Sequence, residues 1–255
     1  MSNLFPKSAA ALSDKGLRRK ENEDMALLCG KFIREESLFI SECPAEYPFV
    51  VAVADGMGGH AGGKVASEAT LRRLQEKIDE SPKGFWEEES EVPPKLTDLV
   101  SSLHTEINEQ SSANAELSQM GTTLSGILVT SPGKFFLFHV GDTRIYRFRQ
   151  GELHLLTRDH SMQGQGPSFT ANALVNAIGG GVERFYVDVE HIDDALQAGD
   201  LLMLSTDGLH DKVEEEEISK KLTLQDSLEA KSANLLQMAL EAGGYDNVTV
   251  VLLTF

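Results

Sequence analysis

The sequence is poor in positive charge, in cysteine and in long apolar runs. Lys and Arg together number 23 against 40 Asp and Glu, a formal net charge of −17 over 255 residues. Proteins that hold nucleic acid or an anionic membrane surface present a basic face. No basic cluster is found beyond Lys15, Arg18, Arg19 and Lys20, so neither partner is expected. Two cysteines, Cys29 and Cys43, are too few for a disulfide framework. So low a thiol content points to a reducing, cytoplasmic setting. Cys29 closes an apolar run and reads as core, and Cys43, before Pro44, reads as an inert loop residue. No apolar stretch approaches the roughly 18 residues that a membrane-crossing helix needs. The opening residues Met1 to Gly16 show no basic start followed by an apolar stretch, so no export signal is expected. No internal repeat and no linker is found, which predicts one domain over residues 1–255, as a monomer.

What is present is ordinary for a globular chain: 41% hydrophobic and 25% charged residues, enough for a sizeable core. Short runs rich in β-branched residues predict strands at 48–54, 122–130, 134–140, 144–149, 201–205 and 247–254, with weaker candidates at 25–28 and 185–189. Ser131-Pro132-Gly133 and Gln150-Gly151 read as hairpin turns, which imply antiparallel sheet. Helical spacing appears at 64–78, 96–117 and 227–242, the last stopped by Gly243-Gly244. The acidic runs at Glu87–Glu91 and Glu214–Glu217 read as solvated surface, and 81–94 and 161–172 as loops. Hairpins with amphipathic helices make the fold class α+β.

The aspartates are placed unusually. Asp55, Asp142 and Asp207 each follow an apolar run beside a glycine, Asp246 opens the last run, and Glu23-Asp24 precede an earlier one. A single Asp-Gly is usually a turn. Several carboxylates converging on one cleft would repel one another unless a cation sat among them, and an all-oxygen set suits Mg²⁺ or Mn²⁺. Gly58 to Lys64 also fits part of a phosphate-binding loop, but Val65 stands where that motif needs Ser or Thr for magnesium. The other reading of the same glycines is a turn that brings backbone and His60 close to a bound ion.

Taken together, the motifs resemble the metal-dependent type 2C protein Ser/Thr phosphatases in their bacterial form. They are Arg19-Lys20-Glu21-Asn22-Glu23-Asp24, Asp55-Gly56-Met57-Gly58-Gly59-His60, Met120-Gly121-Thr122-Thr123, Val140-Gly141-Asp142-Thr143-Arg144, Asp159-His160-Ser161, Ser205-Thr206-Asp207-Gly208-Leu209 with Asp211, and Asp246-Asn247. They occur in the family's order from about Ala9 to Phe255. The resemblance implies a four-layer α-β-β-α sandwich, two antiparallel sheets flanked by helices. It implies a phosphoprotein phosphatase in which a hydroxide bridging two Mn²⁺ or Mg²⁺ ions attacks the phosphorus of phosphoserine or phosphothreonine. By resemblance, Asp55 and the Gly56 carbonyl, with Asp207 and Asp246, hold the first ion, and Asp55 bridges to a second held through Glu23. Asp24 hydrogen-bonds water on the metal. Asp142 with Asp207 takes a third ion, Arg19 grips phosphate in a bidentate pair, and His60 protonates the leaving alkoxide.

The resemblance makes phosphorylated targets of a Ser/Thr kinase the expected partners. A catalytically silent relative acting as a regulatory binding module is the alternative; loss of an acid would favour it, and none is lost. Four features depart from the family pattern. The flap after Asp159-His160-Ser161 is short, Asn176 stands where an arginine is usual, and the chain carries its own insert between Gly30 and Tyr47 and its own acidic loop at Ser81–Pro94. His160 is read as ordering the start of the flap, and Trp86 as an anchor for the acidic loop or for a partner.

Overall fold

The computed structural model describes residues 4–44, 46–58, 62–162, 174–182 and 184–255. Two six-stranded sheets dominate. The first runs, edge to edge, β11 (Glu152–Leu155), β10 (Arg144–Arg149), β14 (Leu201–Ser205), β15 (Val248–Thr254), β1 (Ala9–Asp14) and β4 (Ser37–Ile40). The second runs β13 (Asp188–His191), β9 (Lys134–Val140), β8 (Leu124–Ser131), β5 (Phe49–Ala54), β2 (Met25–Leu28) and β3 (Lys31–Ile33). All pairings are antiparallel. A short ladder of β6 (Gly56–Met57), β7 (Gly121–Thr122) and β12 (Ile178–Gly179) lies at one end.

Side chains alternate across a strand, and here both faces are covered, so the central strands are apolar throughout. Val51 and Val53 point into the core between the sheets, with Ile127, Leu204, Val251 and Leu253. Val50, Ala52 and Ala54 point the other way, onto α1 (Gly62–Asp79) and α2 (Val92–Ala113), where Leu71, Leu74, Val100 and Leu103 meet them. The outer face of the first sheet carries Tyr146, Met203, Val250 and Leu252 under α4 (Glu215–Thr223) and α5 (Leu228–Glu241). A single turn, α3 (Asp207–His210), follows β14. The layers are therefore helix, sheet, sheet, helix, as the family resemblance implies.

Several local expectations are corrected. β1, β3 and β4 were not predicted: β1 is Ala-Ala-Ala-Leu-Ser-Asp, with no β-branched residue, and its place is set by pairing with β15 and β4. The run Glu214–Glu217 is exposed, as expected, but it opens α4, whose Ile218 and Leu222 are buried. Acids in a first turn complement the positive end of the helix dipole. The predicted loop 81–94 ends early, because Val92-Pro93-Pro94 forms the first turn of α2, where proline's fixed φ and missing N–H cost nothing. Trp86 is buried against the α1–α2 layer and anchors that loop from within. The weak strand at 185–189 forms later, at 188–191. Cys29 and Cys43 are both half-buried free thiols lying side by side against the inter-sheet core. The hydrogen-bonding contact with Cys43, and then burial, push the Cys29 thiol above its ordinary range.

Candidate metal centre

Register puts the acids at one end of the sandwich. In the second sheet Met25 pairs with Ala54, so Asp24 and Asp55 leave the sheet together. In the first sheet Ser205 pairs with Val250, so Asp207 and Asp246 flank adjacent strand ends. Asp142 follows β9, two strands from β5. The end ladder pairs Gly56 with Thr122. Asp55 is fixed by three bonds: its N–H donates to Thr123 Oγ1 at 2.9 Å, and its carbonyl accepts from Thr122 Oγ1 at 2.8 Å and Thr123 N at 2.9 Å.

Two polar side chains tie the sheets together there. Thr206 Oγ1 donates to Asp24 Oδ2 at 2.7 Å and accepts from Thr249 N at 2.9 Å. The amide of Asn247 holds the 15–23 loop: Nδ2 donates to the carbonyls of Lys15 and Glu21, and Oδ1 accepts from Glu23 N at 2.8 Å. Its backbone N–H donates to Asp246 Oδ1 at 2.8 Å. Leu17 and Arg18 donate their N–H groups to the Gly244 carbonyl, at the turn that ends α5. This loop carries Arg19 onto the acids, where Nη2 donates to Asp246 Oδ2 at 2.5 Å.

Electrostatics follow from this crowding. Asp24 is fully buried, and its carboxyl is pushed up to about 7 by burial and by the charges of Asp207 and Asp246. Asp142 rises to about 7 through burial and the charges of Asp207, Asp159 and Asp211. Asp207 rises to about 6 through burial, Asp246 and Asp211. Asp55 and Glu23 also rise, burial first in both. Asp24 Oδ1 and Asp207 Oδ1 are buried with no hydrogen-bond partner. An orphaned buried carboxylate oxygen costs free energy that a cation would recover. The all-oxygen donor set and the two orphans fit a hard divalent ion. Beside them a cavity of about 370 Å³ is lined by Asp207, Gly208, Asp211, Lys212, Tyr245 and Asp246.

Of the residues predicted from sequence, Arg19, Glu23, Asp24, Asp55, Gly56, Asp142, Asp207 and Asp246 thus gather at this end, whereas His60 lies outside the described residues. Thr206, Thr249, Thr123 and the Asn247 side chain were not predicted as supports; in sequence their hydroxyls and amide read only as strand or motif residues. The phosphate-loop reading of Gly58–Lys64 fails, because β5 is flanked by antiparallel strands on both sides. A separate cluster, Glu89, His191 and Asp193, lies at the opposite end of β9. There Lys134 Nζ already takes the cation's place, 2.8 Å from Glu89 and 3.2 Å from Asp193.

The family profile for protein phosphatase 2C matches residues 39–242. The serine/threonine protein phosphatase PstP of Mycobacterium tuberculosis is 32% identical over an alignment of 251 residues that covers 95% of this chain. The chain spans just 44% of that relative's length. The serine/threonine phosphatase of S. agalactiae superposes with a TM-score of 0.79 at 30% identity, covering 96% of this chain and 98% of that one. The catalytic domain of PstP in complex with two manganese ions superposes with a TM-score of 0.72 at 30% identity, covering 97% and 98%.

Proposed function

The chain belongs to the protein phosphatase 2C family, and from that premise we propose that residues 1–255 form one catalytic domain that hydrolyses phosphoserine and phosphothreonine in proteins with the help of divalent metal. The observation that carries the reading is the converging carboxylate set itself. Five aspartates from both sheets converge, with Glu23 beside them, and two of the aspartate oxygens are buried without partners. Among the described residues, the one guanidinium bonded to these carboxylates reaches Asp246 alone, so the set is not an ion-pair network.

Asp55, Asp207, Asp246 and the Gly56 carbonyl would hold Mn²⁺ or Mg²⁺, with Glu23 beside the second ion and Asp142 with Asp207 beside a third. When bound, the ions would acidify water and screen the phosphate dianion. The protein residues do the rest. Asp24, anchored by Thr206, faces the same space and orients water there. Arg19 trades its bond to Asp246 for the phosphate oxygens, so the loop held by Asn247 sets where the phosphate sits. A cation held by Asp246 would neutralise the carboxylate that Arg19 leaves. The substrates are phosphoproteins, the targets of a Ser/Thr kinase. The PstP catalytic domain with its two manganese ions supports the metal assignment by likeness. Among the described residues, no helix is long and apolar enough to cross a membrane.

The test is phosphate release from a phosphothreonine peptide with Mn²⁺, with Mg²⁺ and with chelator, alongside Asp207→Asn. Turnover should require metal, and Asp207→Asn should lose at least about 100-fold in kcat while its circular dichroism is unchanged. Turnover indifferent to chelator, or full activity in D207N, overturns the proposal. A folded, metal-loaded protein without turnover would favour the silent binding module instead.

A further inference from the structure

The turn carrying Asp142 is bracketed by two histidines that the reaction as proposed does not use. His160 is buried at 4% exposure, and its Nδ1 lies 3.2 Å from Gly141 N and 2.9 Å from Asn176 Nδ2. A backbone N–H can only donate, so Nδ1 is the acceptor and carries no proton. The amide of Asn176 is oriented independently: Nδ2 donates to the Tyr186 carbonyl at 2.8 Å. It therefore donates to Nδ1 as well. The ring proton is on Nε2, which donates to Asp188 Oδ2 at 3.0 Å. The backbone repeats the connection, since His160 N donates to the Gly141 carbonyl at 2.7 Å and Val175 N donates to the His160 carbonyl at 2.9 Å.

On the other side of Asp142, the hydroxyl of Thr143 lies 2.6 Å from Ser125 Oγ, which bonds His139 Nδ1 at 2.7 Å. His139 Nε2 donates to the Arg158 carbonyl at 3.0 Å, and the two imidazoles pack with centroids 4.5 Å apart. Burial, then the neighbouring His160 ring, pushes His139 down to about 4, which keeps it neutral. Gly141 and Thr143 are thus both fixed through neutral rings, and Asp142 between them has little freedom.

We propose that His160 and Asn176 are positioning residues for Asp142: by accepting from Gly141 N and Asn176 Nδ2 together, His160 locks the Asp142 turn to the returning chain at Val175–Asn176. This rests on the reading of Asp142 as a metal-facing acid. The clamp also gives a reason for asparagine at 176. A short amide fully enclosed among His160 and the Tyr186 backbone fits where a long cation would have to leave. Asp142 is thereby set in place by the chain on both borders of the 163–173 segment.

The test separates the acceptor from mere packing. The Oδ1 of asparagine can stand where Nδ1 stands, whereas glutamine places its amide nearer Nε2. Mn²⁺ titrations by calorimetry would compare wild type with Asp142→Asn, His160→Asn, His160→Gln and Asn176→Leu. The weakest Mn²⁺ site should lose about 10-fold or more in D142N, H160Q and N176L, the tighter sites should be unchanged, and H160N should be close to wild type. H160Q combined with D142N should add nothing to D142N alone. Nitrogen NMR of the metal-free wild type should find the His160 proton on Nε2. Additive losses, equal behaviour of H160N and H160Q, an unaltered D142N titration, or a proton on Nδ1 would each overturn the clamp. Phosphopeptide turnover, run in parallel, tests the phosphatase reading separately, because the titration and the NMR do not depend on it.

Discussion

Asp24 has no exposed surface, yet it sits among other acids with one oxygen bonded to Thr206 and the other bonded to nothing. Without metal, such a carboxyl is cheapest when protonated, and the same holds for Asp142 and Asp207. Their ordinary value of 3.8 is raised to about 7, 7 and 6 respectively. Between roughly pH 4 and pH 7 the folded chain therefore binds more protons than the unfolded one. That stability is fully present below the unfolded value and is lost as pH rises through the folded values. The metal-free protein should melt lower at pH 7.5 than at pH 5.5, by several degrees. Mn²⁺ needs the deprotonated acids, so its stabilising effect should grow over the same interval and reverse the trend. Thermal melts in chelator and in Mn²⁺ across that range would measure both slopes. A chelated protein that gains stability from pH 5.5 to 7 would contradict the burial argument. The acids themselves were legible in sequence as a set, because Asp55, Asp142 and Asp207 each close an apolar run beside a glycine while Asp24 and Asp246 each precede one. Thr206, just past β14, and Thr249, within β15, were not, since a threonine in or beside a strand announces only its β-branched shape; the hydroxyl of Thr206 matters here because the sheets' ends meet.

At the scale of elements, the site depends on how closely the one-turn helix α3 approaches β15. Gly208 lies so near the next strand that an added Cβ would stand 1.9 Å from the Asn247 carbonyl oxygen. Backbone cannot yield at such a distance, so Gly208→Ala must push α3, and with it Asp207, away from Asp246. The expected cost is about 3 kcal/mol in denaturant unfolding, together with weaker Mn²⁺ binding. Ala at Gly181, where nothing lies within 4 Å of a Cβ, faces only the penalty of its φ of +69° and should leave Mn²⁺ binding unaltered. Equal metal affinity in G208A and wild type would show that the close approach does not set the site. The central strands β5, β8, β9, β14 and β15 could be read from sequence because burial on both faces makes them continuous apolar runs. β4 and β1 could not. The edge strand β4 alternates exposed and half-buried residues over only four positions, and its neighbour β1 is largely alanine, so pairing partners rather than composition decide both. α4 was hidden for a related reason: its first turn is all glutamate, and only Ile218, Ser219 and Leu222 face inward.

Over the whole molecule, charge and chemistry pull in opposite directions. A phosphorylated substrate is an anion, and the chain carries −17. Two divalent ions add four positive charges, which leaves −13, so the long-range field still repels anions while the local field at the acids is reversed. The substrate must then be drawn in by its surroundings, because the phosphate alone meets net repulsion until it is close to the metal. Phosphopeptides flanked by Lys and Arg should therefore show a higher kcat/KM than the same peptides flanked by Asp and Glu, through faster association. The ratio should be largest at low salt, on the order of 10-fold, because the screening length shrinks from about 30 Å at 0.01 M to about 3 Å at 1 M. It should approach unity near 0.5 M salt, with kcat the same for both peptides once bound. The exposed acids at Glu87–Glu91 and Glu214–Glu217 contribute to this field without touching the site. Replacing the second group with glutamine should shrink the low-salt ratio and leave the high-salt rates alone. A preference for basic flanks that survives at high salt would instead mean direct contact beside the cavity at Asp211, Lys212 and Tyr245, and the steering argument would fall.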